Sequence, residues 1–246
     1  MWKKPWLIAR TEIPMVFKSR YVRMIPVILV LMSVGFGGVM TFLVLSWGMT
    51  DPVVFSLIMA SGMGMVIVML PVMLPVMIAA DSIVGEKERH TLVPLLSTPL
   101  TDGELLRGKI LTALIPGLLV AYGNLVLAVA IVNGIVFFMA PHLLWVWPTF
   151  LPLVQAIVMP FLFSFLAVAI MVILSGRANT VYDAYQTGGV LILPAMIFGY
   201  SSFLEGTGFD WTIFVIGSII MLILNLILYR VAIRLFSRDE LITRTG

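Results

Sequence analysis

Six unbroken apolar runs, each long enough to cross a bilayer, leave this chain little freedom in what it can become. They cover residues 24–47, 53–80, 110–132, 150–174, 184–204 and 211–236. A hydrocarbon core of about 30 Å takes roughly 20 residues of helix. In lipid every backbone donor and acceptor must be met internally, which helices of this length do. The expected fold is therefore an all-α membrane protein with six transmembrane helices, organised as one domain over 1–246. With 61% hydrophobic and 11% charged residues and a mean hydropathy of +1.12, the chain has no stretch left for a separate soluble domain.

The basic residues set the orientation, because short cytoplasmic loops collect Lys and Arg. With the N-terminus inside, all fifteen Lys and Arg fall on the cytoplasmic side, and only Asp51, Glu205 and Asp210 fall outside. Fifteen basic against nine acidic residues makes the inner face net positive, while the outer face is net negative. The pI of 9.3 thus reports topology and not nucleic-acid binding. The expected location is the plasma membrane, multi-pass, with both termini cytoplasmic. The run at 24–47 is too long for a cleavable signal and no small-x-small site follows it, so it reads as a retained first span.

Ahead of that span, Trp2, Trp6, Ile13, Phe17 and Tyr21 share one arc at helical spacing, beside Lys3, Lys4, Lys18 and Arg20. Apolar and Trp residues flanked by cations predict a helix over 1–23 lying in the membrane interface. Arg10 falls on the arc and Pro14 interrupts it. Within the spans, Pro71, Pro75, Pro116, Pro152, Pro160 and Pro194 predict kinks or breaks, as in the broken helices that line cavities. Ser56, Ala60 and Gly64 form a small-xxx-small ladder where another helix can approach, in this chain or in a second copy.

Catalytic chemistry has little to work with. The two histidines, His90 and His142, fall on opposite sides, and there is no HExxH, GxSxG or paired-Asp constellation. No catalytic residue and no metal site is expected, and a cysteine count of zero removes thiol chemistry. No Asp or Glu lies centrally in a span, which argues against a proton-coupled carrier or an intramembrane hydrolase. The polar residues there are the neutral Asn124, Asn133, Gln155 and Asn225, suited to interhelical hydrogen bonds or to a polar group of a substrate. No GxxxxGK[ST] loop occurs, so nucleotide energy has to come from another polypeptide.

The largest polar stretch is the island at 81–109. Its first part fits a short helix over 83–96, with Leu92, Leu95 and Leu96 on one face and Glu86, Lys87 and Arg89 open to a partner. Thr101-x-x-Glu104 is a capping box ahead of Leu105 and Leu106, so a second helix is expected to start there and run into the third span.

Within the island, Gly85-Glu86-Lys87-Glu88-Arg89-x-Thr91, Pro94-Leu95-Leu96-x-Thr98-Pro99 and Glu104-Leu105-Leu106-x-Gly108-Lys109 closely resemble the segment after the second span in permeases of the type-2 ATP-binding-cassette (ABC) exporter family. Ala9-Arg10-Thr11-Glu12 with Ser19-Arg20, and 236–241 (Phe-Ser-Arg-Asp-Glu-Leu), extend the resemblance to both ends. It departs at His90, where the family usually has Gly, and at Val93, where an acid is common.

The resemblance implies a coupling helix at 86–96 that seats in a groove of a separate ATPase subunit. Glu86, Lys87, Glu88, Arg89, Thr91, Leu92, Leu95 and Leu96 would form the contact, with Arg177, Asn179 and Asp183 as a second cytoplasmic contact and 237–246 as a cytoplasmic tail. It further implies an exporter of two permeases, alike or different, and two ATPases, with ATP and Mg held by the ATPases and not by this chain. The permease itself is then not an enzyme. Lipid, drug or peptide substrates fit apolar spans equally. The alternative readings are a membrane scaffold, or an ion-coupled carrier, that recruits a soluble partner through the 81–109 loop.

Overall fold

The computed structural model describes residues 3–18, 20–64, 70–88, 101–141, 147–175, 180–184, 186, 189 and 211–235. Seven longer helices organise them: α1 (Lys3–Val16), α2 (Arg20–Ser46), α3 (Pro52–Gly64), α4 (Leu70–Ala80), α5 (Asp102–Met139), α6 (Phe150–Ser175) and α7 (Trp211–Leu235). There is no strand among the described residues.

Among the described residues four helices are long and apolar enough to cross a membrane: α2, α5, α6 and α7. They correspond to the first, third, fourth and sixth expected spans. The second expected span is described as α3 and α4, on either side of 65–69, which lies outside the described residues. The fifth, 184–204, falls almost wholly outside them, as do 89–100 and with them most of the expected coupling helix.

Local chemistry explains the helix ends. After α2 the chain turns through Gly48, whose φ of 72° is a left-handed conformation that costs glycine nothing. Asp51 then caps α3, its Oδ1 accepting from the backbone N–H groups of Val53 and Val54 at 2.9 and 3.1 Å. At the start of α5 the expected capping box is present. Glu104 N–H donates to Thr101 Oγ1 at 3.3 Å, and Thr101 N–H donates to Glu104 Oε2 at 3.0 Å. From there α5 runs 38 residues without interruption, through Pro116 and well beyond the expected limit at 132.

No helix breaks at an expected proline among the described residues, and Pro194 lies outside them. Pro14, Pro26, Pro75, Pro116 and Pro160 all sit inside continuous helices. Pro152 is in the first turn of α6, where its missing N–H has no helical acceptor to lose. Pro75 serves packing: a Cβ added at Gly117 would meet its ring at 2.1 Å, so α4 and α5 touch where α5 lacks a side chain.

Helix α6 is the centre of the bundle. In its apolar window 61% of residues are buried, against 17% in α7 and 24% in α2, which leave most of their apolar surface outward. α7 rests on α6 along Phe214, Met221, Asn225 and Ala232, one stripe at spacings of seven and four. Asn225 Nδ2 donates to the Leu162 carbonyl across that seam at 3.0 Å. Ser33 on α2 donates to Asn124 Oδ1 on α5, a buried pair. Asn133 holds a connection instead: its amide nitrogen donates to the Trp147 carbonyl, and its oxygen accepts from Trp147 N–H at 3.4 Å. Of the small-residue ladder, Ser56 is buried and donates to Thr149 Oγ1 at 3.2 Å, a contact within the chain.

Gly117→Ala should lower the stability of the chain in detergent by about 1–3 kcal/mol, the usual cost of overpacking. Gly123→Ala, at a position with nothing within 4 Å, should change it by only a few tenths, or slightly raise it through helix propensity. Thermal unfolding of the two variants side by side checks this.

Candidate functional site: a buried lysine at one end of the bundle

Where α4 leaves the bundle, the helix widens into a π turn at Asp81–Gly85 and ends, within the described residues, in a single α turn, Glu86–Glu88. Such widened turns expose backbone oxygens to new donors and recur at functional sites. Here the Ser82 carbonyl accepts from Lys109 Nζ at 2.6 Å.

Lys109 is on the second turn of α5 and its side chain is only 2% exposed. A buried ammonium is tolerated only when its three donors are met and its charge is balanced. Both conditions hold. Nζ donates to Glu86 Oε1 at 2.7 Å and to Glu12 Oε1 at 3.3 Å, in addition to the Ser82 carbonyl. Glu12 comes from α1, and its second oxygen accepts from Thr112 Oγ1 at 3.3 Å, one turn beyond Lys109 on α5. The single Thr112 hydroxyl proton is shared between that carboxylate and the Gly108 carbonyl, 3.0 Å from Oγ1.

The cluster forms because α1 can come close. Pro5, Ile8, Ala9, Glu12 and Val16 lie on its inner face, spaced three and four apart. A Cβ at Gly108 would meet three side-chain carbons of Ile8 at 2.8–2.9 Å, so glycine is what lets the two helices touch. Lys4 and Glu104, at 3.6 Å, join the same helices nearer their N-terminal ends.

Burial is the largest influence on Glu86 and pushes its pKa above the ordinary glutamate value. Lys109 opposes that, by charge and by hydrogen bond, while Glu12 and Asp81 reinforce it. The folded chain therefore binds the Glu86 proton more tightly than the unfolded chain. The share of stability tied to this group is complete below the ordinary value and is lost as pH rises through the raised one.

Glu88 is exposed, and its Oε1 accepts from the Val181 backbone N–H at 2.9 Å. Val181 opens a helical turn at 181–184 that Thr180 caps, its Oγ1 accepting from Asp183 N–H at 3.0 Å. The two polar segments expected to meet a partner thus meet each other. Of the expected contact residues, Glu86 is turned inward to Lys109, Glu88 bridges to Val181, and Asp183 is exposed. Of Lys87 only the backbone is described. Arg89, Thr91, Leu92, Leu95, Leu96, Arg177 and Asn179 lie outside the described residues.

The sequence assigns no site role to Lys109, Glu12, Thr112 or the Ser82 carbonyl. Glu12 and Lys109 stood in two separate matching motifs, 97 residues apart. The usable clue was that Lys109 sits at the border of an apolar run, where a cation needs an acid.

The fold and this cluster define a class: a helical membrane protein whose buried charge is gathered at one end of the bundle. Comparison of the chain with protein-family models and with curated proteins finds no match.

Lys109→Met should destabilise the protein by about 2–4 kcal/mol, because it leaves two partly buried carboxylates facing each other. Glu86→Gln, which keeps a hydrogen-bond acceptor for Lys109, should cost about 1 kcal/mol near neutral pH. It should also flatten the mildly acidic part of the stability–pH profile, which in the unaltered chain falls with rising pH. Unfolding temperatures in detergent across that range measure both effects.

Proposed function

We propose that this chain is the permease subunit of an ABC exporter, working as a pair of permeases and driven by separate ATPase subunits that hold ATP and Mg. The observation that carries the reading is mechanical. The segment Glu86–Glu88 continues from α4 through the π turn and is ion-paired to α5 through Lys109. A force applied to that segment acts on two bundle helices at once, and through Glu12 on α1.

A soluble motor needs such a handle. Closing of the ATPases on ATP would press the 86–96 segment, and the braced helices would shift between inward- and outward-facing arrangements. Such coupling requires contacts that differ between the two states. The contact between Glu88 and Val181 supports a single docking surface made from both cytoplasmic segments. The resemblance of 85–109 to type-2 ABC permeases and the lack of a phosphate loop point the same way. The wide apolar surfaces of α2 and α7 fit lipid and a second permease.

The test is coexpression with an ABC ATPase encoded beside this gene. The triple variant Glu86→Ala, Glu88→Ala, Arg89→Ala should insert normally and lose transport-coupled ATP hydrolysis. Because Glu86→Ala also disturbs Lys109, the double variant Glu88→Ala, Arg89→Ala separates docking from folding and should lose most of the coupling. In this cysteine-free chain, a single cysteine at Lys87 should crosslink to the ATPase. Unchanged transport in both variants overturns the assignment. Co-purification of a soluble partner with no transport at all favours a scaffold, and transport driven by an ion gradient without ATPase favours a carrier.

A further inference from the structure

Helix α1 has one acidic residue, Glu12, and the fold turns it inward to Lys109. What remains outward is cationic and apolar. Lys4, Trp6, Leu7, Arg10, Thr11, Met15 and Lys18 are exposed, with Trp6 at 52%, Leu7 at 61% and Met15 at 64%. Thr11 directs its hydroxyl to the Leu7 and Ile8 carbonyls of its own helix, and Lys4 is paired with Glu104 of α5, so the cations this arc presents outward are Arg10 and Lys18.

An arc that combines an exposed Trp, long aliphatic side chains and cations without acids is complementary to one surface, that of an anionic phospholipid leaflet. A neutral leaflet would take up Trp6, Leu7 and Met15 equally well, but it offers nothing to Arg10 and Lys18. A soluble acidic partner would meet the cations and leave the apolar residues in water. The same helix also supplies one of the carboxylates that share Lys109, the other being Glu86 of the segment that leaves the membrane.

We infer that the outward arc of α1 docks on anionic phospholipid headgroups, and that this docking holds Glu12 against Lys109 and thereby orders the 82–88 segment. The leaflet's charge becomes an input to the cytoplasmic end of the protein. When α1 is seated, Lys109 is shared between Glu12 and Glu86. When α1 lifts, Lys109 keeps only the partners on 82–86, and the brace between α1 and that segment is gone. This link does not depend on an ATPase being the partner of the cytoplasmic segment.

The experiment is amide hydrogen exchange on the full chain, in vesicles of phosphatidylcholine alone and of phosphatidylcholine with phosphatidylglycerol. Each cation near an anionic surface contributes about fivefold in binding. The anionic vesicles should therefore slow exchange in α1 by about tenfold or more relative to the neutral ones, and slow 82–88 with it. Arg10→Gln with Lys18→Gln should abolish the difference between vesicles in both segments, and high salt should weaken it in the unaltered chain. Glu12→Gln should leave α1 sensitive to lipid charge but free 82–88 from it. Equal protection of α1 in both vesicles overturns the docking. Lipid-sensitive protection of 82–88 that survives Glu12→Gln overturns the link.

Discussion

A buried ammonium cannot be left without partners, and the fold at one end of this bundle is arranged around that requirement. Lys109 is met by oxygens from the π turn after α4, from the α turn that follows it and from α1, while its own helix supplies Thr112 to steady Glu12. Moving the 82–86 segment away from α5 would strand a charge in a poorly solvated place, at a cost of several kcal/mol. That segment and α5 therefore stay joined, and α1 adds to the joint through Glu12.

Deeper in the bundle the glue changes. Contacts between α2 and α5 and between α6 and α7 use Ser33, Asn124 and Asn225, neutral groups worth about 1 kcal/mol each across helices in lipid. Close backbone approach does the rest, with Pro75 against Gly117. Contacts this modest are weaker than the charge pairing around Lys109, so the chain is held more firmly at that end than in the interior of the bundle.

Much of this could be read in the residues themselves. Long apolar runs give the helices, because lipid leaves no free backbone group solvated. Thr101 and Glu104 announced the start of α5, since a capping box is a local contact within four residues. A helix near the N-terminus was legible as well, but not which face it buries. Trp6 of the expected arc is exposed, whereas Phe17 packs against the core, and the face α1 buries is chosen by Gly108 and Lys109 on another helix. The cluster escaped because it joins residues 12, 82, 86 and 109 through tertiary packing, and sequence periodicity carries no record of which distant carboxylate turns toward which lysine. The continuity of α5 and α6 through their prolines escaped for a similar reason, as neighbouring helices determine whether a proline bends a membrane helix or breaks it.

The central claim is that Lys109 joins α1 and the 82–88 segment into one unit. A double-mutant cycle tests it, using Glu12→Gln, Glu86→Gln and Lys109→Met singly and in pairs, with unfolding free energy as the readout. The account predicts that each carboxylate couples to Lys109 by about 1 kcal/mol or more, so that either glutamine substitution costs far less once Lys109 is gone. Strictly additive effects would show that the three groups are neighbours without being partners, and would contradict it.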